Sequence, residues 1–363
     1  MYFSLMNSPP MFCWAMAYIF WHLLAKYPDN FFVYMDNLLI ATNGDVDFHW
    51  HIIDQVLKTP TWESYFLQPA KCEFERTHIE YLGLIVDGDK LTMDPKKVDG
   101  LHNWPQTLKM VKEVCSILGV LVYQQPFIQN YANITWPLMA LTKKDHPFIW
   151  TLECCTALDT LINIILNNPS LRQPDLLKPF FLQVDALAFA TATILTQKDG
   201  RNKHVTVGFH SQTFHNAERN YNIHDHELLA VYQGLTHNCH LLLSSPHPIM
   251  VLTDHKNLEY YQKPQNINWR VARYIPHLAN YNFTLVHIPG PTNKADTLSH
   301  WPNYNDGPKD NTDVIVLPPH LFTCAITLSS LACVCQLQQQ HLLTHWVTTF
   351  SLKKVTFIAM VIN

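Results

Sequence analysis

The chain has 363 residues, 48% of them hydrophobic and 15% charged, which is enough apolar mass for two or three domains and excludes an intrinsically disordered chain. Its formal net charge of -4 and pI near 6.6 exclude nucleic-acid binding through bulk positive charge, so any such role must rest on local sites. Nine cysteines, odd in number and irregularly spaced, exclude a disulfide scaffold and fit a reducing, intracellular compartment, cytoplasm and nucleus being indistinguishable.

The apolar N-terminal stretch is read as neither a targeting segment nor a membrane span. No Lys or Arg precedes it, and Asn7-Ser8-Pro9-Pro10 and His22 interrupt it. A helix is predicted from Pro9-Pro10 to near Pro28. The run FFVYMDNLLIAT at 31–42 follows, apolar on both faces as in a strand of a buried sheet, with one carboxylate and one carboxamide, Asp36 and Asn37, in its middle. A helical stretch around 47–58 leads to IEYLGLIVDGDKLTMDP, which is strand-rich with a hairpin signal at Asp87-Gly88-Asp89.

From Pro95 to about Pro169 the pattern turns helical. VKEVCSILGVLVYQQ and CCTALDTLINIILNN carry apolar residues at helix spacing, interrupted by Pro105, Pro126, Pro137 and Pro147. Cys154-Cys155 falls within that apolar pattern and reads as core. Trp104, Trp136 and Trp150 lie near prolines and read as packing aromatics rather than base-stacking ones. Residues 180–300 change character again. Strands FFLQVDA, FATATILTQ and HVTVGFH precede a long helix from about Ala217 to Leu243. The strand IMVLTD, a helix around 268–280, the strand YNFTLVHI and a terminal helix near 291–300 complete a mixed α/β domain. Beyond Trp301 the composition is polar and then loosely apolar, and a poorly ordered tail is expected. His320, Cys324, Cys333 and Cys335 in that tail match none of the usual paired zinc-ligand spacings.

Four carboxylates in this last domain point to chemistry. Asp185 ends FFLQVD and Asp254 ends IMVLTD, so each emerges where a buried strand stops. Glu227 lies in HDHELLAVYQGL, where Leu228, Leu229 and Val231 would pack the helix on the sheet, and Asp296 follows Pro289-Gly290 in NKADTLSH. If the two strands are neighbours, the acids converge, and unpaired anions at one spot raise each other's pKa unless a cation binds. Oxygen-only ligands suit Mg²⁺ or Mn²⁺, and two such ions about 3.5–4 Å apart would bracket a phosphodiester. Any one of these acids, taken alone, reads as an ordinary surface residue.

FFLQVDALAFATATILTQ, FHSQTFHNAERNYNIHDHELLAVYQGL, PHPIMVLTDHKNLEYY and IPGPTNKADTLSH together resemble the ribonuclease H domain of a Gypsy-type LTR retrotransposon pol polyprotein, in the family's order and approximate spacing. The resemblance implies catalytic, metal-binding roles for Asp185, Glu227, Asp254 and Asp296, two Mg²⁺ or Mn²⁺ ions, and an RNA–DNA hybrid as substrate. Upstream, HIEYLGLIVDGDKLTMDPKKVDGLHNWPQT and VKEVCSILGVLVYQQPFIQNYANITWPLMALTKKDHPFIW are similar to the end of the family's reverse-transcriptase palm and to its thumb and connection. YFSLMNSPPMFCWAMAYIF resembles the helix after the family's Phe-Gly-Leu-x-Asn-Ala-Pro segment, and FFVYMDN resembles its Tyr-x-Asp-Asp hairpin.

The departures carry information. Asn37 stands where the family has its second Asp, and the block that supplies another polymerase metal ligand is not in this chain, so Tyr34, Asp36 and Asn37 mark a degenerate polymerase site. In the ribonuclease domain Leu187 and Ala192 replace a usual Ser and Gly, Gln212 a basic residue, Asn238 a Trp and Trp269 an Arg. Apart from the four acids this domain is net basic, and Arg219, Lys256, Arg270 and Arg273 are the expected phosphate contacts, since an A-form-like hybrid is gripped by its backbone.

The expected architecture is α/β (α+β). It comprises a partial reverse-transcriptase palm at 1–90, a helical thumb and connection at 91–172, a ribonuclease H-like mixed-sheet domain at 173–302 and the tail at 303–363. The expected activity is hydrolysis of RNA in RNA–DNA hybrids with an inactive polymerase half, possible partners being the hybrid and the rest of a pol polyprotein, with no membrane. Two other readings stand beside it: a catalytically dead remnant that at most binds nucleic acid, and an RNA-directed DNA polymerase completed by a missing upstream segment.

Overall fold

The computed structural model of the chain describes residues 7–42, 44–62, 67–102, 104–144, 146–167, 169–186, 189–254, 272–288 and 356–361. By their internal contacts these fall into two units, one running to Asp94 and including residues 356–361, the other beginning at Pro95. No boundary of this kind separates the helical region at 91–172 from the sheet domain that follows it.

In the first unit, Pro9 and Pro10 lack amide donors and suit a helix's first turn. Helix α1 accordingly spans Ser8–Ile19. Phe20 interrupts the expected single helix, and α2 covers Trp21–Lys26. Met16, Phe20 and Leu23 from these helices pack with Phe31, Leu38 and Ile40, and with Ile52, Ile53 and Val56 of α3, Val46–Trp62. FFVYMDNLLIAT is a hairpin, as its resemblance to the Tyr-x-Asp-Asp segment implies, and not the single strand that its apolar pattern alone suggests. Strands β1, Phe31–Tyr34, and β2, Asn37–Thr42, pair antiparallel with Tyr34 opposite Asn37. Met35 supplies the left-handed turn residue at φ 51°, a conformation that normally favours glycine. Strand β3, Glu73–Arg76, precedes an antiparallel meander of β4, His78–Tyr81, β5, Leu84–Asp87, and β6, Lys90–Met93. The signal at Asp87-Gly88-Asp89 is the β5–β6 turn, with Gly88 at φ 56°.

Strand β13, Thr356–Val361, lies between β2 and β3, its register running from Thr356 opposite Thr42 to Val361 opposite Asn37. This is a departure from the tail expected over 303–363. The ladder gives β2 backbone partners along its whole length, which an exposed edge would otherwise lack. The rest of that segment, including His320 and the tail cysteines, lies outside the described residues.

The second unit begins with α4, Pro95–His102, α5, Val111–Tyr123, α6, Tyr131–Ala140, and α7, Leu152–Leu166. Val114, Ile117 and Leu121 form the buried stripe of α5, and Cys154, Ala157, Leu158, Leu161 and Ile165 that of α7, as 3.6-residue periodicity requires. After a short β7, Leu171–Arg172, come β8, Phe180–Ala186, β9, Ala190–Lys198, and β10, His204–Thr213. Then follow α8, Ile223–His237, α9, Cys239–Leu242, β11, Ile249–Thr253, α10, Ile275–Leu278, and β12, Phe283–His287.

The sheet order is β10-β9-β8-β11-β12, antiparallel from β10 to β8 and parallel from β8 to β12. The helix expected from about Ala217 to Leu243 is broken at both ends. A 3-10 turn, Glu218–Asn220, precedes α8, and Asn238 separates α8 from α9. Asn238 is buried, and its side-chain amide donates to the Gly234 carbonyl at 2.8 Å, so it satisfies the end of a helix there. The helix expected around 268–280 is described only in its last part, as α10, and the one near 291–300 lies outside the described residues. Among the described residues, no helix is long and apolar enough to cross a membrane.

Candidate active site

The site follows from strand register. Strands β8 and β11 are adjacent and parallel, with Leu252 opposite Gln183. Two residues further on, Asp254 therefore reaches the level of Asp185, and the pleat period of two returns each side chain to the face of its counterpart two residues back. Helix α8 packs across β8 and β9 and delivers Glu227 to these strand ends. Gly234, seven residues on and on the same helix face, permits the close approach. A Cβ there would meet Thr193 Cγ2 at 2.9 Å and Leu182 Cδ2 at 3.1 Å.

As a result, one carboxylate oxygen from each of Asp185, Glu227 and Asp254 lies within 4.8 Å of the others. Asp185 and Glu227 are buried, 4% and 3% exposed, while Asp254 is half-buried. Among the described residues this is the one group of three potential metal ligands. Surrounding contacts fix its members. His287 Nε2 stands 2.9 Å from the Asp254 carbonyl, and because a carbonyl only accepts, that nitrogen carries the proton. Asp185 faces Ala192 across β9, a small neighbour beside a buried carboxylate. His226, adjacent to Glu227, stacks on Phe214 with ring centroids 4.3 Å apart and donates from Nε2 to the Glu218 carbonyl at 2.7 Å. Burial pushes its pKa below the usual imidazole value, so it stays neutral and holds the start of α8.

Comparison with known proteins bears on the same elements. Residues 175–281 match the model of the RNase H-like domain found in reverse transcriptase, and residues 3–86 match that of reverse transcriptase (RNA-dependent DNA polymerase). The chain carries a reverse transcriptase segment and an RNase H-like domain. The Transposon Tf2-7 polyprotein of Schizosaccharomyces pombe is 32% identical over 284 residues, which are 77% of this chain and 21% of that polyprotein. The Transposon Tf2-3 polyprotein of the same yeast is 31% identical over the same shares. The chain thus spans about a fifth of the length of these relatives. A foamy viral protease-reverse transcriptase in complex with RNA/DNA hybrid shares the fold with TM-score 0.64 at 19% identity, over 86% of this chain and 41% of that one. The same viral protein in complex with dsDNA gives TM-score 0.64 at 20% identity, over 79% of this chain and 60% of that one.

Of the four acids singled out in the sequence, the RNase H-like domain brings three together, and Asp296 lies outside the described residues. Lys256 and Arg270, with Leu187 and Trp269, also lie outside them. Arg219 is exposed and stands over the Trp136 ring at 4.9 Å. Arg273 is exposed and donates to the hydroxyls of Tyr221 and Tyr274. In the reverse transcriptase segment, Tyr34 and Asn37 close the β1–β2 hairpin, Asp36 sits in its turn, and Asn37 Nδ2 donates to Asp36 Oδ1 at 3.4 Å. Burial, reinforced by Tyr34 and Asp36, pushes the Tyr81 hydroxyl pKa up, so it stays protonated beside that turn. Among the described residues, Asp36 belongs to no group of three ligating side chains. Sequence reasoning missed His287 and Tyr81, which act on the two sites through folded contacts that no local spacing announces.

Proposed function

We propose that the RNase H-like domain hydrolyses the RNA strand of RNA–DNA hybrids, with Asp185, Glu227 and Asp254 as its working carboxylates and Asp296 as a fourth. The observation that carries this is the convergence of three acids from two neighbouring parallel strand ends and the covering helix within 4.8 Å. Three anions so close repel one another unless a cation joins them, and an all-oxygen donor set suits a hard divalent ion, Mg²⁺ or Mn²⁺, rather than a thiophilic one. A pair of such ions, when bound, would supply the charge that activates a water and stabilises the leaving oxygen. The chain's own part is positional. Asp185 and Glu227 are fixed by burial, and Asp254, half-buried, is the most accessible of the three. Arg219 and Arg273, exposed on the same unit, are proposed to hold phosphates of the hybrid, together with Lys256 and Arg270.

We infer a different state for the reverse transcriptase segment. An amide at Asn37 supplies no charge to a divalent ion, and Asp36 alone is too weak a site for tight binding of two ions. Polymerase activity by this chain alone is therefore not expected. Purified protein incubated with labelled RNA–DNA hybrid, and separately with primed template and nucleotides, in Mg²⁺ or Mn²⁺, tests both statements. RNA cleavage lost by about a hundredfold or more in Asp254→Asn supports the nuclease, since removal of a group that stabilises transition-state charge costs about 10²–10³. Cleavage unchanged in Asp254→Asn, or absent from the wild type, would overturn it in favour of a remnant that only binds. Primer extension by the wild type would overturn the second statement.

A further inference from the structure

Two cations that the carboxylate site does not use meet on one aromatic ring. Lys143 follows α6, and Arg219 lies in the 3-10 turn before α8, yet Lys143 Nζ stands 4.7 Å and Arg219 Cζ 4.9 Å from the centroid of the Trp136 indole. Their charges are thus within about one Debye length, about 10 Å at 0.1 M salt, of each other. The Phe189 ring lies 5.1 Å from the same indole, tilted by 36°. Lys143 and Arg219 are exposed, Trp136 and Phe189 half-buried, and among the described residues neither cation forms an ion pair. A ring can hold two cations over its π system, but like charges brought this close are stabilised further by an anion.

The platform is tied to the nuclease sheet. Gln125 Nε2 donates to the Ser211 carbonyl at 2.8 Å, and the Ala132 amide donates to Ser211 Oγ at 2.8 Å, so the start of α6 is anchored on β10. Phe189 follows Asp185 by four residues, a chain reach of at most about 14 Å. Arg219 precedes Glu227 by eight residues, just ahead of the helix that carries it. Phe189, packed on Trp136, thus lies on the stretch of chain that joins the end of β8, where Asp185 sits, to β9.

We propose that Lys143 and Arg219, positioned by Trp136, form a binding site for the phosphodiester backbone of a nucleic-acid duplex flanking the carboxylate cluster. With two cations over its ring, Trp136 acts as a template for charge and not as a base-stacking surface. A phosphodiester backbone presents successive single negative charges, one for each of the two cations, and is the ligand we assign. The assignment rests on the nuclease reading for its choice of duplex, and the test separates the two.

Binding of the full chain to a fluorescent RNA–DNA hybrid is measured by anisotropy in EDTA, from 50 to 200 mM salt, so that no cleavage contributes. The double variant Lys143→Gln/Arg219→Gln should weaken binding about tenfold and reduce the log-log salt slope by about 1.8, the loss expected for two phosphate contacts on a duplex. Lys143→Arg should restore most of the affinity lost in Lys143→Gln, and Trp136→Leu should weaken binding in the same direction as the double variant. An unchanged dissociation constant and slope in the double variant would overturn the site while leaving a cleaving wild type as a nuclease. Weakened binding in the double variant, with a wild type that cleaves nothing, would keep the site and remove the nuclease chemistry. Equal, equally sensitive binding of poly-glutamate would reassign the site to acidic peptides and overturn it.

Discussion

Three carboxylate oxygens within 4.8 Å, two of the parent side chains buried, put a destabilising charge cluster inside the RNase H-like domain. Asp185→Asn removes one charge and keeps the shape of the side chain. In EDTA the variant should therefore melt at the same temperature as the wild type or higher, while Mg²⁺ or Mn²⁺ should raise the melting temperature of the wild type and not of the variant. Thermal melts with and without metal read both, and a variant still stabilised by metal would place the cation elsewhere. A second residue-scale effect involves His210, whose ring stacks on His237 at 3.8 Å. Burial, aided by His237, pushes its pKa down to about 3. The unfolded chain takes up a proton below about pH 6.5 that the folded one refuses, so stability falls as pH drops from there, by up to about 1.4 kcal/mol per unit. Urea midpoints at pH 7 and pH 5 should separate more for the wild type than for His210→Gln. At this scale Asp185, Glu227 and Asp254 were legible because each marks the end or covering face of a plainly apolar element. Lys143 and Trp136 were not, since what gives them meaning is the approach of Arg219 from a distant part of the chain.

Elements were legible where one face is buried and obscure where both are. α5 and α7 show their stripes in sequence, whereas FFVYMDNLLIAT hides its turn because apolar residues fill both flanking strands and Met35 occupies the left-handed position without a glycine. The break at Asn238 was hidden too, because the apolar pattern continues through Cys239–Leu242 beyond the helix end. Two glycines in helices make opposite predictions. Gly119 lies in α5 with nothing within 4 Å of an added Cβ, so Gly119→Ala should stabilise by about 0.5–1 kcal/mol through helix propensity. Gly234 faces Thr193 and Leu182 at contact distance, and Gly234→Val should cost about 1–3 kcal/mol by overpacking while shifting Glu227. Denaturant titration of both variants checks the pair, and a tolerated Gly234→Val would mean that α8 rides less closely on the sheet. Strand β13 makes a further case: deleting residues 356–363 should expose the backbone of β2 and raise amide exchange across Leu38–Thr42.

At the scale of the molecule, the changes of pattern after Pro95 and near residue 180 can both be seen in composition, whereas the contacts that tie the helical region to the following sheet cannot. Helix α6 packs on β9 and β10, and Gln125 and Ala132 both hydrogen-bond to Ser211, whose own burial is nearly complete. Removing α4 to α7 would leave the Ser211 carbonyl and hydroxyl without these partners and uncover apolar surface on β10, each lost buried hydrogen bond alone costing about 1–3 kcal/mol. A fragment beginning at Pro95 keeps every one of these contacts. It should express as a folded protein with a cooperative thermal transition and, if the nuclease assignment holds, cleave hybrid as the whole chain does. A fragment beginning at residue 173 should aggregate or melt many degrees lower. Equal melting temperatures for the two fragments would show that the helical region is a separate domain after all, and that the charge pair on Trp136 is assembled across a mobile boundary instead of being built into one unit.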